Sequence, residues 1–303
     1  MRTYPAAVAF QGLHASVYSL RDTEGFARSM NTTEPERKGY DSCYESFNSP
    51  LQKQLRREAY GQDIGQHSWV TADELEQDIP RLGLSRTSRL LDLGCGPGGP
   101  LAFIAKLVGC QGSGTDISAH AIAAARVRIA SLGLGELITL QVADLRDPIP
   151  HASGSFDAVM SMDVVLHLPD RTGFVREVAR VLVPGGRFLF TDAGIITGAI
   201  SDEGVRLRAV HGRNHLVPAG FNERILELAG LRLLESHDRT QSLLKNARGR
   251  LTARLGHRAE LEKLEGSTAF EREQRYLETV INLSERGSLS RMAYLAESRV
   301  AAQ

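Results

Sequence analysis

Leu90-Leu91-Asp92-Leu93-Gly94-Cys95-Gly96-Pro97-Gly98-Gly99-Pro100 is the stretch that decides how this chain folds. Its leucines make a short apolar strand, and the glycines behind them strip the following turn of Cβ atoms, opening backbone N–H groups to a ligand. Leu101, Ile104, Ala105 and Val108 then recur at helical spacing, with Pro100 suited to the first turn. Strand, turn and helix follow one another again downstream.

Gly112 to Asp116 ends a second strand, and Ser118 caps a helix through Ala121, Ile122, Ala125 and Ile129. Residues 137–143 read as a third strand and residues 156–161 as a fourth. Asp170 caps a helix carrying Phe174, Val175, Val178 and Leu182, and Pro184-Gly185-Gly186 turns the chain into a fifth strand, Arg187 to Asp192. Phe221 to Ala229 is helical and closed by Gly230; a sixth strand follows at 231–235, a helical stretch at 239–287 and a last strand at 289–295. Upstream, Thr71 and Glu74 form a capping box for a helix ending near Pro80, and residues 50–60 suit a short charged helix. Apolar strands alternating with amphipathic helices predict an α/β fold: a parallel, doubly wound sheet covered on both faces. The organisation expected is an arm or lid over 1–70, a core over 71–238 and 289–303, and a helical insertion over 239–288 that acts as a lid or a subunit contact.

Composition narrows the function. In 303 residues, 36 basic side chains balance 36 acidic ones, so no global field recruits nucleic acid or an anionic membrane. The opening Met1-Arg2-Thr3-Tyr4-Pro5 and its short apolar run lack the form of a signal peptide, and no stretch approaches a membrane span. Three cysteines (Cys43, Cys95, Cys110) show no metal-binding spacing, so a reducing cytoplasm and no metal are expected. Arg239, Lys245, Arg248, Arg250, Arg254 and Arg258 form a basic run, read as a solvated helix face because acids follow closely.

Gly94-x-Gly96-x-x-Gly99 satisfies the dinucleotide fingerprint, which alone says little. Asp116 ends the second strand 22 residues after Gly94, where a carboxylate accepts from ribose hydroxyls; a nicotinamide site would place an acid there too. Asp144 ends the third strand, where it could accept from an adenine amine or simply cap a loop.

Leu91-Asp92-Leu93-Gly94-Cys95-Gly96-Pro97-Gly98-Gly99, Gly114-Thr115-Asp116-Ile117-Ser118, Val142-Ala143-Asp144-Leu145, Phe156-Asp157-Ala158-Val159 and Leu182-Val183-Pro184-Gly185-Gly186-Arg187-Phe188 resemble, in order, the motifs of class I S-adenosylmethionine-dependent methyltransferases. The likeness covers about residues 60 to 235. It implies a Rossmann-like seven-stranded sheet of order 3-2-1-4-5-7-6 with the seventh strand antiparallel. It also implies S-adenosyl-L-methionine as cofactor, with Gly94 and Gly96 at its methionine end, Asp92 on its ammonium and Asp116 on the ribose. Ile117 would pack on the adenine, while Asp144 and Leu145 would fix its edge. Gly65-Gln66-His67-Ser68-Trp69-Val70-Thr71 resembles the segment that closes over the cofactor carboxylate, which brings in Gln66 and Ser68.

Asp163-Val164-Val165-Leu166-His167-Leu168-Pro169-Asp170 resembles the corresponding segment of small-molecule enzymes, including ubiquinone-type and natural-product ones, and no Asn-Pro-Pro-Tyr or Pro-Cys motif marks nucleobase methylation. The expectation is a methyltransferase of secondary metabolism acting on oxygen, nitrogen or carbon of a small organic acceptor. His167, with an ordinary pKa near about 6.5, is the candidate general base, or else a packed structural residue. Tyr40, Tyr44, Asp163, His211 and His215 are candidates for the acceptor wall, and a homo-oligomer through the arm or insertion is expected. A nicotinamide-dependent oxidoreductase and a non-catalytic protein that binds S-adenosylmethionine remain the rivals.

Overall fold

Alternation along each central strand shows which way the layers lie. In β1 (Arg89–Leu93), Leu90 faces one layer of the core while Leu91 and Leu93 face the other. Ala158 and Met160 of β4 (Phe156–Met162) side with Leu90, and Val159 with Leu91. Such strands, buried on both faces, need helices above and below. The computed structural model that reveals this describes Asp41, residues 44–209 and residues 214–299. Tyr40, Cys43 and His211 lie outside the described residues.

The chain enters through α1 (Pro50–Tyr60) and α2 (Ala72–Leu82). After β1 come α3 (Gly99–Val108), β2 (Gln111–Asp116), α4 (Ala119–Ser131), β3 (Ile138–Val142), β4, a 3-10 turn at Val165–His167, α5 (Arg171–Val181) and β5 (Leu182–Ile196). Then follow α6 (Asp202–Arg208), β6 (Val217–Pro218), α7 (Phe221–Leu228), β7 (Leu231–Asp238), α8 (Thr240–Gly256), α9 (Arg258–Glu265), α10 (Ser267–Glu285) and β8 (Leu289–Ser298). The sheet order is β3-β2-β1-β4-β5-β8-β7, with β8 antiparallel to both neighbours. This is the Rossmann-like order expected, the sixth and seventh strands being β7 and β8. The extra two-residue β6 pairs with Ile195 and Ile196, and is too short to leave a periodic signal.

On one face α5 and α7 lay Phe174, Val175, Val178 and Ile225 over Phe188, Phe190 and Tyr294. On the other, α2 and α3 lay Leu75, Leu101 and Ile104 over Leu90, Met160 and Leu189. At about 1.5–3 kcal/mol per buried side chain, these two layers outweigh anything helix propensity contributes. The order reverses between β1 and β4, so a crevice opens at their carboxyl ends.

Three boundaries differ from the sequence reading. Thr71 caps α2 as expected, accepting from the Glu74 amide at 3.2 Å, but the helix runs past Pro80 to a left-handed Gly83, because Pro80 lies on the exposed side of the last turn. Strand β5 begins at Leu182, not Arg187: Val183 to Gly186 form a bulge between the pairs Phe156–Leu182 and Ala158–Arg187. Helix α6 was not foreseen, although Ser201, capping the Gly204 amide at 3.1 Å ahead of Asp202 and Glu203, is its legible start.

The insertion packs on the chain's own core. Leu243, Ala247, Leu277 and Val280 cover Trp69 and Ala193, while Leu55 of α1 meets Ala253, Leu261 and Phe270. Its basic run is more than a solvated face: Arg239 pairs with Asp78, Arg248 with Glu285, Arg250 with Glu273, Arg254 with Glu265 and Arg258 with Glu262. Apart from Asp78, the acids that neutralise the run in space are ones that follow it in sequence. Among the described residues no helix is long and apolar enough to cross a membrane.

Candidate active site

The glycine-rich turn is held by the strand beside it. The Gly94 and Cys95 amides both donate to the Thr115 carbonyl, at 2.8 and 2.9 Å, and Gly94 takes φ +76°. A Cβ there would stand 2.4 Å from Val164, so the loop after β4 presses directly on the turn. At Gly99 a Cβ would stand 2.4 Å from the Gly65 carbonyl, because the 64–65 backbone lies across the start of α3. Only glycine permits either approach.

Two carboxylates flank this turn. Asp116 is buried and accepts from the Gly96 amide at 2.8 Å and the Ser118 amide at 2.9 Å, aligning turn and helix start together. Asp92, 2% exposed, has no donor reaching its carboxylate among the described residues. Burial, and then the charge of Asp116, pushes Asp92 well above the usual carboxylate range. Burial also raises Asp116, against its two amide hydrogen bonds. The same burial, with both acids nearby, lifts the Cys95 thiol and leaves it unreactive. A buried acid without a protein donor is a place built for a cationic ligand group.

The cofactor implied by the fold fits here. Asp92 would receive an ammonium, Gly96 and its neighbours the backbone of a methionine moiety, and Asp116 a ribose. Ile117, half-buried, and Leu145, buried, would border the adenine. Asp144 stands at the expected edge, but Arg146 forks onto it at 3.1 and 3.3 Å from Nε and 3.1 Å from Nη2, a partner the sequence reading missed. Gln66 is buried and closes its own loop, accepting from the Ile64 amide at 3.0 Å and donating to the Gln62 carbonyl at 3.3 Å. The Ser68 hydroxyl accepts from the Val70 amide at 3.4 Å, and the Ser68 carbonyl accepts from Tyr60 at 3.0 Å. Both residues therefore shape the segment that lies on Gly99.

Tyr44 closes the turn from outside. Its hydroxyl comes within 3.4 Å of where a Gly96 Cβ would stand, and its ring packs 5.1 Å from His67 and 5.9 Å from Phe47. Asp41, beside it in the chain, pairs with His120 and accepts from Ser118 at the start of α4. Burial raises the Asp41 carboxyl, but hydrogen bonds from Ser118 and His120 outweigh it and hold the group low.

Past β4 the chain turns sharply at Asp163, a non-glycine residue at φ +59°. Its buried carboxylate is engaged by protein donors. It accepts from the Trp69 amide at 2.9 Å, from Thr191 at 2.8 Å and from Arg291 Nε at 2.9 Å. Arg291 also reaches both Glu74 oxygens at 2.9 Å. The Trp69 carbonyl accepts from Asn246 of α8 at 2.6 Å, so the backbone of one residue is gripped on both sides, by sheet and insertion alike. None of Trp69, Glu74, Asn246 or Arg291 was singled out for this network from sequence, since no local spacing joins them.

His167 ends the 3-10 turn, partly buried, and the His215 amide donates to the neighbouring Leu166 carbonyl at 2.7 Å. Two of the candidate histidines are thus brought to one loop cluster at the carboxyl edge of the sheet. Arg171 fixes that cluster, bonding Asp192, Asn222 and the His215 carbonyl.

A family profile described as a methyltransferase domain matches residues 91–190, the span of β1 to β5. The methyltransferase GfsG of Streptomyces halstedii is 37% identical over 169 residues, 54% of this chain and 59% of that protein. A sarcosine/dimethylglycine N-methyltransferase of Halorhodospira halochloris is 32% identical over 219 residues, 70% of this chain and 75% of its own length. Among solved structures, phosphoethanolamine N-methyltransferase 2 of Haemonchus contortus superposes with a TM-score of 0.73 at 19% identity, covering 89% of this chain and 61% of that one. The last likeness is one of fold.

Proposed function

The chain belongs to the class I S-adenosylmethionine-dependent methyltransferases, and on that premise we propose that it methylates oxygen, nitrogen or carbon of a small organic acceptor in secondary metabolism. One observation carries the reading. A buried carboxylate with no donor among the described residues, Asp92, stands beside a glycine-bared turn whose amide Asp116 aligns. A nicotinamide site would bring a pyrophosphate to this turn, next to two acids; a sulfonium amino acid brings positive charge to it.

When bound, S-adenosylmethionine supplies a methyl group already activated on sulfur. The chain's own residues then have three tasks. Asp92, Asp116, Asp144, Leu145 and Ile117 bind and orient; Tyr44, His67 and the 64–69 segment exclude water. His167 takes the acceptor's proton, with His215 and Tyr44 on the acceptor wall. Asp163 serves the same wall as a positioning residue, through the Trp69 amide that it holds. The segment 163–170, resembling small-molecule enzymes, supports the acceptor class. Buried free thiols at Cys95 and Cys110 support a reducing cytoplasm. Leu255 and Leu264, both about half exposed on the insertion, support a contact between copies there.

Calorimetry with S-adenosylhomocysteine and with NADPH separates the rivals: only the former should bind. Incubation with S-adenosylmethionine and a panel of phenols, amines and activated ring carbons should then yield a methylated product. Tight S-adenosylhomocysteine binding with no product across the panel would favour a non-catalytic role.

A further inference from the structure

Five arginines are buried among the described residues: Arg56, Arg171, Arg208, Arg254 and Arg291. Four of them meet a carboxylate, on Asp63, Asp192, Glu265, and Asp163 with Glu74, respectively. Arg208, 3% exposed at the end of α6, meets none. Its Nη1 donates to the Tyr276 hydroxyl at 3.1 Å and its Nη2 to the Ala193 carbonyl at 3.4 Å, with the guanidinium 5.4 Å from the Tyr276 ring centre. Neutral partners do not repay the desolvation of a cation, which makes an unmatched buried arginine expensive unless something anionic joins it.

Its place in the fold says what that would be. Ala193 lies near the carboxyl end of β5 and packs in one cluster with Trp69. The Trp69 amide is held by Asp163, and Val164, the next residue, presses on the cofactor turn at Gly94. Arg208 is therefore linked, through Ala193, Trp69 and Asp163, to the loop that presses on the cofactor turn. The Trp69 and Tyr276 rings, 6.4 Å apart and inclined by 28°, give the same wall an apolar surface. The other guanidinium in it, Arg250 over Trp69, is already matched by Glu273 at 3.0 Å. Among the described residues, Arg208 is the guanidinium here that no carboxylate meets.

We propose that Arg208, assisted by Tyr276, binds a carboxylate carried by the methyl acceptor. A single guanidinium balances a monoanion and would leave a phosphate dianion half-neutralised. The part of its planar fork not used by Tyr276 and Ala193 is of the shape that carboxylates take. This deepens the methyltransferase reading and rests on it.

The test uses the full chain saturated with S-adenosylhomocysteine and follows thermal unfolding with sodium benzoate, benzamide or inorganic phosphate at one ionic strength. Benzoate should raise the Tm and benzamide should not. Arg208→Gln should weaken the benzoate response by about tenfold or more, as expected for loss of a charged hydrogen-bond donor, while S-adenosylhomocysteine affinity stays unchanged. Arg208→Lys, which keeps the charge and the fold but loses the fork, should retain a reduced response and carries the comparison if the glutamine variant does not fold. No benzoate response in the wild type, an equal response in the variants, or a phosphate response exceeding that of benzoate would overturn the proposal. Failure of the wild type to bind S-adenosylhomocysteine would instead remove the methyltransferase reading itself.

Discussion

The two ends of the crevice are built by opposite means. At the cofactor end, a turn, two adjacent parallel strands and one helix start supply nearly everything. Asp116 serves an amide two residues on, and Thr115 serves Gly94 across one strand pair. At the end proposed for the acceptor, hydrogen bonds join residues 94, 128 and 177 positions apart: Trp69 with Asp163, Asp163 with Arg291, and Trp69 with Asn246. Backbone and a few short side chains make the first end, so it reads as contiguous motifs. Buried long side chains, each compensating another, make the second, and only the topology brings them together.

If that contrast holds, the largest stability loss should come from the acceptor end. Arg291→Met strips Asp163 of its cation and leaves Glu74 only the more distant Arg239 at 3.7 Å, and should cost about 3–5 kcal/mol in urea unfolding. A loss below about 1 kcal/mol would mean that the network contributes geometry but little energy. At the cofactor end, function should suffer instead. Asp116→Ala should weaken S-adenosylhomocysteine binding on the order of 100-fold by calorimetry, since hydrogen bonds to a charged acceptor are worth about 1.5–3 kcal/mol each. His167→Ala should lower kcat by roughly 100-fold and leave that binding intact; a kcat unchanged between about pH 6 and 9 would leave His167 as packing alone.

Asp92 gives the same comparison a pH axis. Its folded pKa lies above the unfolded value, so between the two the folded chain holds more protons, and stability falls as pH rises through that window. The cofactor-free chain should therefore be more stable in mild acid than this group allows at neutral pH. Asp92→Asn should flatten that slope and raise the Tm at neutral pH, while weakening cofactor binding. A variant that is less stable at neutral pH would show that Asp92 is satisfied in a way its surroundings do not suggest.

How much was legible follows the same division. Leu90 to Gly99, Asp116 and the alternating strands disclosed the parallel α/β sheet and its glycine-rich turn, because glycine, acid and strand period act over a few residues; the strand order came only from the family resemblance. Gln66 was chosen for a cofactor contact, yet its side chain closes its own loop, a distinction that spacing does not carry. Asp163 was singled out as an acceptor-wall candidate but its partners were not, since Arg291 lies on β8, which joins the sheet only through the final antiparallel return. Arg208 was invisible: its α6 helix has seven residues, and being unmatched is a property of surroundings rather than of sequence.

The smallest effect sharpens the contrast most. Arg258 also meets two carboxylates, Glu262 at 2.9 Å and Glu271 at 2.7 Å, so by a count of ion pairs it equals Arg291. The difference is water: the Arg258 side chain is 52% exposed and that of Arg291 is 0%. Solvent screens the first pair and charges little for removing one partner, because the stranded acids are simply hydrated. Arg258→Gln should therefore shift unfolding by less than about 1 kcal/mol, and the shift should shrink further in high salt. A loss comparable to that of Arg291→Met would mean that α9 and α10 depend on their charge ladder rather than on Leu261 and Phe270, and the division between a wired acceptor end and a merely decorated insertion would have to be redrawn.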